Sequence, residues 1–267
     1  MEIRPVILTT KQQKRLQDLS RLVYKYQKLL GLMDEEIEVG LSGKNSAFLH
    51  WHEERKVWGI YLLPSDNDFT PIHELGHIYL AKKTKYLNFA KSGIQEKKIF
   101  GDLLIILNHL LDCFVDYNLI QFNNLYELYI EDAHLWKHAK KKGKISGKPI
   151  SVAHSYKTFI GHYLSLKLIN KEKSKRFYID VKNYLRKAKD SMKITYKQHK
   201  FNFQSLEKEL DYFDIIKNTN DPKRIITFFC NILKEISLWK KNDLKNQLKL
   251  LFPNIEIQYH LSNIIIG

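Results

Sequence analysis

The sequence has few cysteines and no long apolar run. Two cysteines in 267 residues, Cys113 and Cys230, exclude a disulfide framework. No stretch of about 18 residues is both apolar and free of charge, so we expect no membrane span. The first residues, Met1-Glu-Ile-Arg-Pro, lack the apolar segment of a signal peptide. These absences together predict a cytoplasmic protein that keeps its thiols reduced.

Arginine is also scarce, and the charge is unevenly distributed. The net charge is +15, with 37 Lys and only 7 Arg. Residues 1–136 hold 16 Lys and Arg against 18 Asp and Glu, a net of −2, whereas residues 137–267 hold 28 against 11, a net of +17. We therefore predict a core in 1–136 and a basic, mostly helical half in 137–267. Such a half could bind nucleic acid or another polyanion. Specific readers of bases favour the bidentate guanidinium of arginine over lysine, however, so the excess of lysine favours a plain solvated surface.

One short motif specifies chemistry: His73-Glu74-Leu75-Gly76-His77. On a helix, residues four apart lie on one face, so His73 and His77 can direct ring nitrogens at one Zn²⁺. Glu74 lies about 100° around the helix from His73, beside the metal, where it can take a proton from a water molecule that zinc activates. A random order of the same residues contains His-Glu-x-x-His in roughly 2–3% of cases. The residues around the motif must therefore show whether it is a metal site or a chance occurrence.

The residues around the motif predict a helix that presents it correctly. Threonine is a good N-cap and proline suits the first helical position, so Thr70 and Pro71 predict the helix start. Gly76 costs about 1 kcal/mol relative to alanine in a helix, which indicates close packing at that position. The predicted core-facing stripe consists of Ile72, Leu75, Tyr79 and Leu80. A metal-binding helix is the interpretation that fits all of these features.

A catalytic zinc normally has three protein ligands, so a third must come from elsewhere. The segment 95–121 is almost continuously apolar and predicts a buried helix, in which Cys113 is a small buried hydrophobe. Four polar residues nevertheless fall within about 80° of one another on it. They are Asp102, His109, Asp112 and Asp116. Buried carboxylates need a cation or hydrogen bonds, so this stripe predicts the missing ligand.

The motif, followed by a helix with Asn108-x-x-x-Asp112-x-x-x-Asp116, resembles the zincin superfamily of metallopeptidases. It is most similar to the gluzincin and aspzincin branches. The resemblance implies that Asp112 is the third zinc ligand and that Asp116 hydrogen-bonds a ligating histidine ring. Asp116, His109 and Glu96 remain alternatives for the third ligand. The resemblance also implies hydrolysis of peptide bonds with Glu74 as general base and acid.

The wider pattern predicts an α+β fold, predominantly α, with a zincin-like order of elements. A helix over 11–30 precedes strands over 37–41, 47–52 and 57–63, and then come the metal helix and the ligand helix. In zincins the strand nearest the metal helix receives substrate by edge pairing, which makes 57–63 the candidate edge, although a plain core strand is equally compatible. His50 and His52 share one strand face and could line the cleft or face solvent.

Zincins commonly provide an oxyanion-stabilising side chain from a later segment, and His154 and Tyr156 are the candidates that the resemblance implies. The sequence thus predicts a zinc peptidase that acts on peptides or proteins. The alternative is a nucleic-acid-associated binding protein with an inactive or structural zincin fold, or a peptidase tethered to nucleic acid.

Overall fold

The computed structural model describes residues 8–43, 46–84, 101–122, 125–132 and 151–251. These parts are mostly helical with one small three-stranded sheet, which confirms the predicted α+β class. The chain divides into two compact units, Met1–Tyr79 and Leu80–Gly267. The predicted boundary after residue 136 lies outside the described residues, as does Glu96.

The first unit begins with α1 (Thr10–Leu29). Thr9 caps this helix: its side chain accepts a hydrogen bond from the Gln12 backbone, while the Gln12 side chain accepts one from the Thr9 backbone. This reciprocal pair satisfies two backbone donors that a helix start leaves unpaired. The buried residues of α1 recur at helical spacing and form its core face; they are Leu19, Val23 and Tyr26.

The sheet of the first unit contains β1 (Ile37–Leu41), β2 (Phe48–His52) and β3 (Val57–Leu62) in the order β1-β3-β2. β2 and β3 form an antiparallel hairpin, and β1 pairs with β3 in parallel. β3 is therefore the central strand, paired on both sides. The prediction that it offers a free edge to substrate is wrong, because the parallel partner β1 occupies that edge.

The two faces of the sheet differ in character. Alternate residues of β3 are fully buried, since Ile60 and Leu62 have no exposed surface. On the other face, His50 and His52 lie together with ring centroids 4.6 Å apart, and His52 Nε2 is hydrogen-bonded to the Tyr61 hydroxyl at 2.8 Å. This bond passes over Gly59, where a Cβ atom would meet Tyr61 at 2.7 Å and His52 at 2.9 Å. Because glycine has no Cβ atom, Gly59 leaves room for the hydrogen bond between His52 and Tyr61.

Helix α2 (Phe69–Thr84) carries the motif. It begins one residue before the predicted N-cap, because the Asn67 side-chain oxygen accepts hydrogen bonds from the backbone of Phe69 and Thr70. Asparagine at this position replaces Thr70 as the cap. The predicted stripe also needs one correction: Ile78 is buried and Tyr79 is only half-buried. The rest of that stripe is confirmed as buried, and so is Gly76.

The second unit consists of helices in its described parts. They are α3 (Gly101–Leu119), α4 (125–132), α5 (Val152–Leu168), α6 (Lys175–Thr195), α7 (Phe203–Asp211), α8 (Phe213–Ile216), α9 (Pro222–Ile236) and α10 (Lys241–Leu251). Phe114 of α3 lies at the centre of this core, with its ring 5.0 to 6.0 Å from three others. Those rings are Phe213, Phe228 and Phe229. Among the described helices, none is long and apolar enough to cross a membrane.

Candidate metal centre

The two histidines of the motif are oriented toward each other on α2. Their Nε2 atoms lie 3.3 Å apart, and the ring planes of His73 and His77 meet at 85°. Both side chains are half-buried. Two nitrogens bound at 2.0–2.1 Å to one tetrahedral zinc are separated by about 3.3–3.4 Å. The pair therefore has the spacing of two ligands on one metal ion.

Helix α3 presents its acids on a partly exposed stripe. The Asp112 side chain is 31% exposed, Asp116 is half-buried and Asp102 is exposed. The prediction of buried carboxylates is wrong for Asp102 and holds only in part for Asp112 and Asp116, because the stripe lies at the margin of the apolar core rather than inside it. Water can solvate them, so burial alone does not demand a cation. The case for a metal site rests instead on the distances between the candidate ligand atoms.

That geometry singles out one group in the described part of the chain. The ligand atoms of His73, His77 and Asp112 all lie within 4.8 Å of one another, close enough to hold one metal ion. Two imidazole nitrogens and one carboxylate oxygen form a donor set that suits zinc and leaves a fourth position open. Asp116 and His109 do not belong to this group. Asp112 as the third zinc ligand stays a prediction.

His109 contacts the candidate ligand on its own helix. Its Nδ1 lies 3.4 Å from the Asp112 carboxylate. The ring occupies the space above Gly161 of α5, where a Cβ atom would meet His109 Cδ2 at 2.7 Å and Nε2 closer still. Sequence reasoning missed this contact. The available signal was a glycine inside a predicted helix, which costs about 1 kcal/mol and so indicates a close approach.

Asp116 lies near two buried groups of the same unit. Burial raises the pKa of the Cys113 thiol well above its usual value, and the charges of Asp116 and Asp112 add to that shift. Burial also raises the pKa of Tyr129, with the Asp116 charge as the next cause. Cys113 is buried as predicted, and its thiol donates to the His109 carbonyl oxygen at 3.2 Å. A protonated thiol of this kind is a packing residue. The bond from Asp116 to a histidine ring stays a prediction.

The two oxyanion candidates occupy different environments in α5. His154 is exposed at the helix start, and its Nδ1 lies 2.8 Å from the capping Ser151 hydroxyl. Tyr156 is 1% exposed, and its hydroxyl is hydrogen-bonded to His199 Nε2 at 3.0 Å. Burial raises the pKa of Tyr156 and lowers that of His199, so this pair stays neutral. The placement of Tyr156 is that of a core residue, and its catalytic role stays a prediction.

In comparisons with known proteins, no family model, curated protein or solved structure matches the chain. The function must therefore be argued from the site itself. Its donor set, its half-buried setting and the glutamate after the first histidine are the features from which that argument starts.

Proposed function

We propose that this protein is a zinc-dependent peptidase in which His73, His77 and Asp112 hold the metal. The observation that carries the proposal is the 3.3 Å separation of the two histidine Nε2 atoms, the spacing of two zinc ligands. The carboxylate oxygen of Asp112, within 4.8 Å of both ring nitrogens, supports the third position. The resemblance of the motif to zincins points to the same ligand types.

The chain contributes a base beside the metal ligands. Zinc held by this donor set supplies a Lewis acid that polarises a peptide carbonyl and lowers the pKa of water. Glu74 projects from α2 about 100° around the axis from His73, which places its carboxylate beside the ligands and not among them. In the proposed reaction Glu74 takes the proton from the attacking water and delivers it to the amine that leaves as the peptide bond breaks.

The substrate is proposed to be a peptide or an extended protein segment. Because β3 is paired on both sides, a peptide that adds to the described sheet as a further strand has to pair with β1 or β2. β2 carries His50 and His52, whose rings provide polar contacts along that strand. This arrangement replaces the edge predicted at 57–63.

Zinc content and chelation test the proposal directly. Protein purified without added metal is expected to contain about one zinc per chain, as three protein ligands imply. Hydrolysis of a fluorescently labelled, denatured casein should stop after treatment with a chelator and return when zinc is restored. Magnesium added in place of zinc is the matched control and should not restore it. A protein that holds no zinc, or that cleaves equally well after chelation, contradicts the proposal.

The contact between His109 and Asp112 leads to a prediction about metal affinity. A methyl group in Gly161→Ala displaces the His109 ring and so removes the partner of the Asp112 carboxylate. Loss of such a partner typically weakens metal binding by about 10–100-fold. We expect Gly161→Ala and His109→Ala each to raise the zinc dissociation constant within that range, measured by competition with a chromogenic chelator.

The double variant is the control for this mechanism. If both substitutions act through one contact, the double variant should bind zinc no more weakly than His109→Ala alone. Additive losses would show that Gly161 acts by a different route. Unfolding in urea, recorded for all three variants, separates a change in zinc affinity from a general loss of stability.

A further inference from the structure

In the described part of the chain, helix α6 and its flanks carry a strongly cationic surface outside the proposed peptidase site. Residues 171–200 hold 11 Lys and Arg but only 3 Asp and Glu, a net of +8. The apolar side of α6 is buried in the second unit, with Phe177, Val181, Leu185 and Met192 at 5–6% exposure. Ten of the eleven cations are exposed, and Lys189 is the exception.

Four of them lie along a single line. Lys175, Lys182, Arg186 and Lys193 are all exposed. At 100° per residue their directions fall within about 40° of one another, and together they span 18 residues, or about 27 Å. We refer to these four residues as the α6 strip. One acid, Asp190, is exposed on the same side of the helix and offsets part of the charge.

The α6 strip also differs from the other lysines of this unit in its ion pairing. Lys189, on the side of α6 that meets α7, pairs with Glu207 at 2.6 Å. Lys167 and Lys217 pair with Asp214 at 2.9 and 3.0 Å. Across the described ranges, no member of the strip has an acidic partner within 4.0 Å. Lys193 Nζ lies 5.8 Å from the centre of the Phe203 ring of α7, a contact that leaves its positive charge without an anion. The strip can therefore accept an external anion.

We propose that the α6 strip binds the sugar-phosphate backbone of nucleic acid without reading its sequence. A duplex carries one negative charge per about 1.7 Å of its axis, so it offers phosphates along the whole 27 Å length of the strip. A straight cationic line suits a regular linear polyanion. Three of the four residues are lysines, which act as point charges on phosphates rather than as bidentate readers of bases.

An anionic membrane is the less favourable partner for this surface. A helix that binds a bilayer inserts an apolar face below the headgroups. The apolar face of α6 is buried inside the protein. The large apolar side chains that α6 leaves exposed lie five or more residues apart: Ile179 at 47%, Tyr184 at 37% and Ile194 at 70%. Only the electrostatic part of membrane binding would remain, and this surface therefore favours nucleic acid.

The test is fluorescence anisotropy with a labelled 20-base-pair duplex of arbitrary sequence, using the full chain between 50 and 200 mM salt. Four phosphate contacts predict a slope of log K against log salt of about −3.6, a loss of roughly 100-fold over that range. In a variant with all four strip residues changed to Gln, each substitution should reduce the magnitude of that slope by about 1. The variant should also bind the duplex at least about 10-fold more weakly at 50 mM salt.

A second fourfold variant controls for net charge. Lys11, Lys14, Lys25 and Lys28 are exposed on α1, and their change to Gln removes the same charge from a different helix. This variant should bind the duplex within about twofold of the unchanged protein at 50 mM salt, since only long-range steering is lost.

Three outcomes overturn the proposal. The unchanged protein does not bind the duplex at 50 mM salt; both fourfold variants lose binding equally; or vesicles rich in phosphatidylserine, or poly-glutamate, compete for the strip more effectively than unlabelled duplex. Circular dichroism and zinc content establish that each variant remains folded. Because duplex binding is measured without substrate, its failure is distinguishable from failure of the proposed peptidase activity.

Discussion

Glu74→Gln is expected to abolish peptide hydrolysis while zinc stays bound at about one per chain. Glutamine has nearly the same shape as glutamate but cannot accept a proton from the attacking water. Removal of a positioned general base typically costs a factor of about 10²–10⁴ in kcat. The ligands His73 and His77 are untouched, so zinc affinity should change little. Hydrolysis of labelled casein and zinc content, measured on the same preparation, check both halves of this result.

Glu54→Gln provides the matched control, because Glu54 is an exposed glutamate in the turn between β2 and β3. It makes the same chemical change away from the metal ligands and should leave kcat unaltered. If Glu74→Gln retains full activity, Glu74 is not the base and the proposed chemistry fails. If the variant loses zinc as well, Glu74 acts on the metal and the assigned ligand set must change.

His77→Ala is expected to remove zinc from the purified protein. Only His73 and Asp112 would remain of the proposed ligands, and two are too few for a stable structural or catalytic site. The dissociation constant should rise by more than about 100-fold, beyond the effect of losing a residue that only supports a ligand. Equilibrium dialysis measures this, and circular dichroism distinguishes it from unfolding. Zinc retained at one per chain would overturn the assignment.

The two aspartates on α3 provide a finer version of the same experiment. Asp112→Asn and Asp116→Asn make identical changes one helical turn apart. If Asp112 is the ligand, its variant should match His77→Ala, while the Asp116 variant should lose about 10–100-fold at most. The reverse order would make Asp116 the ligand. Equal and small effects in both would show that neither carboxylate binds the metal.

Much of the candidate site could be predicted from local sequence. The i,i+4 spacing of the two histidines sets their common face on α2, and the structure places their ring nitrogens 3.3 Å apart. Helical periodicity places Asp112 on the polar stripe of α3, and the resemblance to zincins picks it out from the other residues of that stripe. Capping also depends on neighbours in sequence, which is why α1 begins directly after Thr9 and α9 begins at Pro222.

The sequence by itself determined the elements and the faces they present: the metal-binding pair on α2, the acids on α3 and the cationic line on α6. Only the tertiary structure decided what those faces meet. It made β3 a central strand, placed His109 over Gly161 and buried Tyr156 against His199. Helix periodicity and capping act over a few residues, whereas strand order and side-chain packing join residues dozens apart, and no local pattern encodes that choice.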